Sequence, residues 1–225
     1  FASLIDKIGM RIYNTLTGKK EALPTPPESG LNFFVCGPTV YDYSHIGHAR
    51  TYIFFDALIK FLRKKLGLKI NYLQNITNLD DRIIARALEQ NKNPQEVADF
   101  FEKEYYADMT TLGITSVNTY APATKYIAEI ISQTERLVKK GLAYTAAGSV
   151  YFDVRKFTEY GKLSHQKLAD LKEGVRVEVE TGKKYFADFA LWKATGSNEP
   201  SWDSPWGQGR PGWHIEDTAI TEKHF

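Results

Sequence analysis

The sequence predicts an α/β protein built on a parallel sheet, and three observations carry that expectation. Residues 31–36 (LNFFVC) are a short apolar run that stops at Gly37-Pro38, the pattern of a buried strand entering a loop. Over 49–65, Ile53, Phe54, Ala57, Leu58, Phe61 and Leu62 recur at helical spacing, and Gly67 supplies the stop. Residues 68–77 (LKINYLQNIT) form a second strand candidate. Strand, helix and strand in succession make a βαβ unit, whose right-handed crossover requires the two strands to run parallel.

The remaining elements follow in order. A short helix is expected around 81–91, and another opens at Pro94, a good first-turn residue, and runs to about 111. After Tyr120-Ala121-Pro122 the character changes. A helix over 124–140 carries Ile127, Ile130, Ile131, Thr134, Leu137 and Val138 on one side and is capped by Gly141. Residues 143–154 read as a hairpin about Gly148, and 176–180 alternate beside a Thr181-Gly182 turn. The domain reading is therefore 10–120 as the first half of a parallel domain, 121–185 as a small α+β insertion, and 186–225 as the start of the second half, the parallel fold resuming near Phe186 (FADFALW).

Composition excludes several classes. With 43% apolar, 25% charged and 13% aromatic residues among 225, the chain is neither disordered nor a disulfide scaffold. A net charge of +2 gives no overall basic field, so an RNA partner must be read from local features. The single cysteine, Cys36, cannot form an internal disulfide, which fits a reducing cytoplasm and is compatible with other compartments. No run reaches the apolar length of a membrane span. Residues 1–9 lack the basic start and apolar stretch of a secretory signal, and Met10 is a candidate natural start. Both ends read as cut.

The chemistry sits directly after the first strand, in Cys36-Gly37-Pro38-Thr39-Val40-Tyr41-Asp42 and then His45-Ile46-Gly47-His48 at the mouth of the first helix. Ligands of open α/β sheets bind at the carboxyl ends of strands, where helix N-termini present unpaired N–H groups and a positive dipole end. Two imidazoles there can donate to phosphate oxygens, and Gly47 leaves room for a nucleotide against the backbone. The site suits charge developing on a phosphoryl group, met by electrostatics and not by covalent catalysis. The plainer reading is that the two histidines only cap the helix.

HIGH after a first strand resembles the signature of class I aminoacyl-tRNA synthetases. The longer strings VCGPTVYDYSHIGHARTY (35–52), NITNLDDRII (75–84), DFALWK (188–193) and SWDSPWGQGRPGWHIE (201–216) resemble the cysteinyl-tRNA synthetase family, in order and spacing, over essentially 10–225. The resemblance implies a Rossmann-like class I catalytic domain, incomplete here, that activates cysteine with ATP and Mg2+ and transfers it to tRNA(Cys). It further implies a cytoplasmic, monomeric enzyme, with His45 and His48 catalytic and Gly37, Thr39, His45, Gly47 and His48 on ATP. Cys36, Thr77 and Trp213 would line the amino-acid pocket. Cys36 matches the first cysteine ligand of a Zn2+ ion that binds the substrate thiolate and rejects serine, whose hydroxyl is a poor zinc ligand.

The family's second cysteine ligand is replaced by Asp217. Aspartate keeps the charge and binds zinc through oxygen; alternatively Asp217 stands outside the metal shell and caps a helix, or zinc is not used. Asp80 and Asp81 read as helix caps before magnesium ligands. His165, His214 and His224 lack a comparable context, although His214 adjoins Trp213. The family's remaining metal ligands, a His and a Glu, its KMSKS loop and its anticodon-binding region would lie beyond Phe225. For lack of such packing partners, 201–225 are expected to be poorly ordered. Two rivals stay open: a related ligase that passes cysteine to an amino sugar, against which VYFDVRKFTEYGKLSHQKL speaks, and a catalytically inactive paralogue serving as a binding module.

Overall fold

The computed structural model describes residues 9–23, 27–170, 182–196 and 199–225. The chain divides into two units, one comprising 26–129 and 216–225, the other 1–25 and 130–215. In the latter, β1 (Arg11–Asn14) and β2 (Lys19–Ala22) form an antiparallel hairpin with Arg11 opposite Ala22. Sequence patterning passes over this hairpin because its residues are mostly polar and exposed, leaving no apolar alternation to detect.

The parallel unit follows the expected order. β3 (Leu31–Val35) leads to α1 (Ile46–Leu66) and back to β4 (Ile70–Ile76); α2 (Asp81–Gln90) and α3 (Pro94–Thr111) then precede β5 (Thr119–Pro122). The sheet order is β3-β4-β5, with both pairs parallel and Leu31 beside Ile70 and Leu73 beside Thr119. β4 is central and buried at every position but Asn71, as a strand covered on both faces must be. Gly67 and Asp80 cap where the sequence reading puts them, and Asn93 adds a cap that reading did not name. Gly67 ends α1 at φ 65°, Asp80 accepts the Arg82 amide at the start of α2, and Asn93 accepts the Gln95 amide before Pro94 of α3.

The phase of α1 differs from its apolar spacing. The face turned inward carries Tyr52, Asp56, Ile59, Leu62 and Leu66, while Ile53, Phe54 and Phe61 are exposed. Asp56 decides the rotation. Its carboxylate accepts the Thr115 and Ser116 amides at 2.9 Å each and pairs with Lys60 at 2.6 Å. A charge this well partnered is tolerated in the interior, and a pattern of apolar letters does not register it.

The second unit is antiparallel. A 3₁₀ turn at Ala123–Tyr126 enters α4 (Ile127–Lys139), in which Ile130 and Thr134 are fully buried. β6 (Ala143–Ala146) and β7 (Ser149–Phe152) form the expected hairpin, turned by Ala147 and Gly148, both at positive φ as a tight two-residue loop demands. β8 (Phe189–Ala194) and β9 (Gly209–Pro211) extend the sheet in the order β6-β7-β8-β9, every pair antiparallel. The parallel fold expected to resume near Phe186 is therefore not what β8 forms: Tyr151 pairs with Ala190 across an antiparallel ladder. Asp188 fixes the entry to β8 by accepting from the Tyr144 hydroxyl at 2.7 Å and the Val154 amide at 3.1 Å. The alternating stretch at 176–180 lies outside the described residues.

The last element, α5 (Trp213–His224), returns the chain to the parallel unit from Glu216 onward. Ile220 is fully buried against Leu73 and Ala121, with Phe34 and Tyr126 packed around them, and Lys223 pairs with Glu129 at 3.1 Å. The expectation that 201–225 lack packing partners is thus corrected: 209–211 pair with β8, and 216–225 pack on the parallel unit. Among the described residues no helix is long and apolar enough to cross a membrane.

Candidate functional site

The two histidines of the first helix cap it reciprocally. His45 is the N-cap of α1, its Nδ1 accepting the Gly47 amide at 3.0 Å, while Nδ1 of His48 accepts the His45 amide at 3.2 Å. This is a reciprocal capping box in which imidazoles take the roles of hydroxyl and carboxylate. With each Nδ1 an acceptor, each neutral ring carries its proton on Nε2. Capping therefore fixes the tautomer and leaves Nε2–H as the donor on both rings. The rings stack at 4.0 Å, which disfavours two positive charges, and burial followed by His45 holds His48 below the ordinary imidazole range. Gly47 leaves the His45 ring its place, since a Cβ would stand 2.8 Å from it and the ring would have to shift.

Behind them, Tyr52 is buried one turn further along α1, its ring parallel to His48 at 6.3 Å and its hydroxyl donating to the Cys36 carbonyl at 3.4 Å. Beyond Val35 the chain keeps company with β4. Thr77 donates its amide to Pro38 and accepts from Val40, making a parallel bridge between Thr39 and Thr77. Gly37 is what permits this approach, because a Cβ there would sit 1.7 Å from the Asn75 carbonyl oxygen. The Thr39 hydroxyl accepts from Arg82 at 3.0 Å, and Arg82 is in turn held by Asp80 at 2.8 Å and lies over the Tyr41 ring.

Cys36 lies at the end of β3, its Sγ donating to the Gly37 carbonyl at 3.7 Å, and α5 brings Asp217 near enough to act on its ionisation. Desolvation, then Asp217, then Glu216 push the thiol up to about 12. Burial likewise pushes the Asp217 carboxyl up to about 6, partly offset by Cys36. In donor type and in proximity this pair fits a zinc site, since a divalent cation would ionise both groups. It is half a shell. Among the described residues no group of three or more His, Cys, Asp or Glu side chains converges.

Thr77 is buried, its hydroxyl donating to Glu216 at 3.1 Å. Trp213 opens α5, half exposed, its ring 5.3 Å from His214, which packs edge-on against Phe189 at 5.0 Å. His224 contacts the Tyr126 hydroxyl at 2.8 Å, and His165 contacts the Thr15 carbonyl. Sequence reasoning singled out neither Asn75 nor Glu216, both fully buried beside these residues. A polar residue inside the apolar run of a central strand was the available signal for Asn75. Glu216 offered none.

Residues 24–225 match the family model described as the tRNA synthetases class I (C) catalytic domain. The cysteine–tRNA ligase of Thermoplasma acidophilum is 56% identical over 216 residues, which are 96% of this chain and 48% of that protein. The ligase of Thermoplasma volcanium is 54% identical over 96% of this chain and 47% of its own length. That of Thermococcus kodakarensis is 48% identical over 97% and 46%. The chain thus spans about half the length of the curated relatives it matches.

Proposed function

From the premise that this chain belongs to the class I (C) tRNA synthetase catalytic-domain family, we propose that it supplies the nucleotide-binding half, and the first part of the amino-acid site, of a cytoplasmic cysteine–tRNA ligase. The substrates are ATP with Mg2+, cysteine and tRNA(Cys). The cysteine carboxylate attacks the α-phosphate, pyrophosphate leaves, and the adenylate passes its acyl group to a terminal ribose hydroxyl of the tRNA.

His45 and His48 donate Nε2–H to the phosphate oxygens as charge develops, already oriented by the capping box, so no reorganisation is required at the moment of reaction. The lowered His48 pKa keeps that ring in the neutral, donating tautomer at physiological pH. Gly37, Thr39 and Gly47 shape the nucleotide's approach, and Trp213 walls the amino-acid pocket. Cys36 and Asp217 would hold Zn2+, which when bound supplies a Lewis acid that selects a thiolate over a hydroxyl. Cysteine then tightens zinc binding, and zinc tightens cysteine binding equally.

The observation carrying this reading is the proximity of Cys36 and Asp217, a thiol and a carboxyl far apart in sequence whose segments are joined at the end of β3 through Asn75, Thr77 and Glu216. The test is cysteine-dependent pyrophosphate exchange followed by tRNA charging with the full-length protein. Exchange together with charging supports the proposal. Exchange without charging favours a ligase that passes cysteine to another acceptor, and the absence of both favours an inactive binding module.

A further inference from the structure

Three buried polar side chains join the segments that carry Cys36 and Asp217. The amide of Gly37, next after Cys36, donates to Oδ1 of Asn75 at 2.7 Å. Nδ2 of Asn75 donates to Oγ1 of Thr77 at 3.4 Å, the longest link. The Thr77 hydroxyl donates to Oε2 of Glu216, next before Asp217, at 3.1 Å. Asn75 is 0% exposed, and Thr77 and Glu216 are each 1% exposed.

The donor order allows no ambiguity. A backbone N–H can only donate, so Asn75 must turn its oxygen toward Gly37 and its NH₂ toward Thr77. The threonine hydroxyl, accepting from that NH₂, is left to donate, and it meets a carboxylate. Reversing any member would set two donors or two acceptors face to face in the interior, which costs about 1–3 kcal/mol. Stability alone does not call for such a chain. Apolar side chains of similar volume would pack the same space, and removing a charge from water is expensive. What the chain fixes is distance: the bridge to Pro38 and Val40 holds the Thr77 backbone, so its hydroxyl sets where the first turn of α5 meets the end of β3.

We propose that Asn75, Thr77 and Glu216 are positioning residues forming a relay that holds the segment carrying Asp217 against the one carrying Cys36, so that the two can share a metal ion. This rests on the metal-binding half of the proposed function. It differs from the sequence expectation for Thr77, in which the hydroxyl touches the substrate.

Cobalt(II) in place of zinc tests the relay, because the sulfur-to-cobalt absorption band reports the Cys36–metal bond without turnover. The full-length protein is titrated with cobalt(II) as wild type, Thr77→Val, Thr77→Ser and Glu216→Gln. Thr77→Val cannot donate and should lose about tenfold or more in cobalt affinity, the usual cost of removing an outer-shell partner, with a weaker thiolate band. Thr77→Ser and Glu216→Gln keep the donor and an acceptor, and should stay within roughly threefold of wild type. Should Thr77→Val not fold, Glu216→Met, which cannot accept, should show the same loss.

The outcomes separate cleanly. Unchanged cobalt affinity and band in Thr77→Val, with a raised KM for cysteine in pyrophosphate exchange, would place Thr77 on the substrate and overturn the relay alone. Equal losses in the valine and serine variants would also overturn it. A wild type that takes up no cobalt overturns the relay and the metal half of the proposed function together, and if it also lacks cysteine-dependent exchange the whole functional reading falls.

Discussion

Replacing Asp217 by asparagine preserves the shape of the side chain and removes one charge. Burial raises the Asp217 carboxyl from 3.8 to about 6 in the folded protein. Between these values the folded state binds more protons than the unfolded chain, so stability falls as pH rises through the window, and the deficit is complete above it. At 1.36 kcal/mol per unit the shift corresponds to at most about 3 kcal/mol, and the partial exposure of the residue reduces this to about 1–2 kcal/mol. Asp217→Asn should therefore be more stable than wild type by that amount at about pH 7.5 with metal removed, and equal to it at about pH 3.5. Urea denaturation followed by circular dichroism, in chelator and at several pH values, measures the difference. With saturating zinc the order should invert, since wild type alone gains the full binding free energy of the metal. A variant less stable than metal-free wild type at neutral pH, or a difference independent of pH, would refute the reasoning.

Gly37→Ala forces the chain after β3 off β4, because the added carbon would overlap the Asn75 carbonyl oxygen at 1.7 Å; with overpacking and the loss of one or two bridge hydrogen bonds the cost should be about 3–5 kcal/mol. Urea denaturation followed by circular dichroism measures the loss. Gly196→Ala, with nothing within 4 Å, should change stability little. His45→Ala and His48→Ala should each slow adenylate formation by about tenfold or more, in kcat and not in KM for cysteine, and normal pyrophosphate-exchange rates would show that these rings do not meet the developing charge. His48 is held below the ordinary imidazole range, so its contribution to stability is lost as pH falls through about 6.5. His48→Gln should flatten the stability profile in that window.

Much of the parallel unit was legible because its signals are local. The run at 31–36, the helical spacing from 49 and the strand ending in NIT each announce an element from neighbouring residues alone. Asp80, Pro94 and Gly67 mark helix ends in the same way. The placement of HIGH at the first strand-to-helix junction followed from that order, and with it the location of the candidate site.

What the sequence could not settle depended on partners distant along the chain. Apolar letters gave the period of α1, but the Asp56 contacts with Thr115 and Ser116 set its rotation. The strand at 189–194 looked like a return to the parallel sheet, yet a β-strand's own residues do not state which neighbour it pairs with or in which direction, and β7 supplied an antiparallel one. Cys36 and Asp217 could each be flagged as ligand candidates. That they come near one another was decided only when Ile220 buried itself on Leu73 and Ala121, bringing α5 to the parallel unit. Asn75 and Glu216 escaped notice altogether, because a buried polar residue is meaningful only through the partner that satisfies it, and those partners lie 38 and 139 positions away.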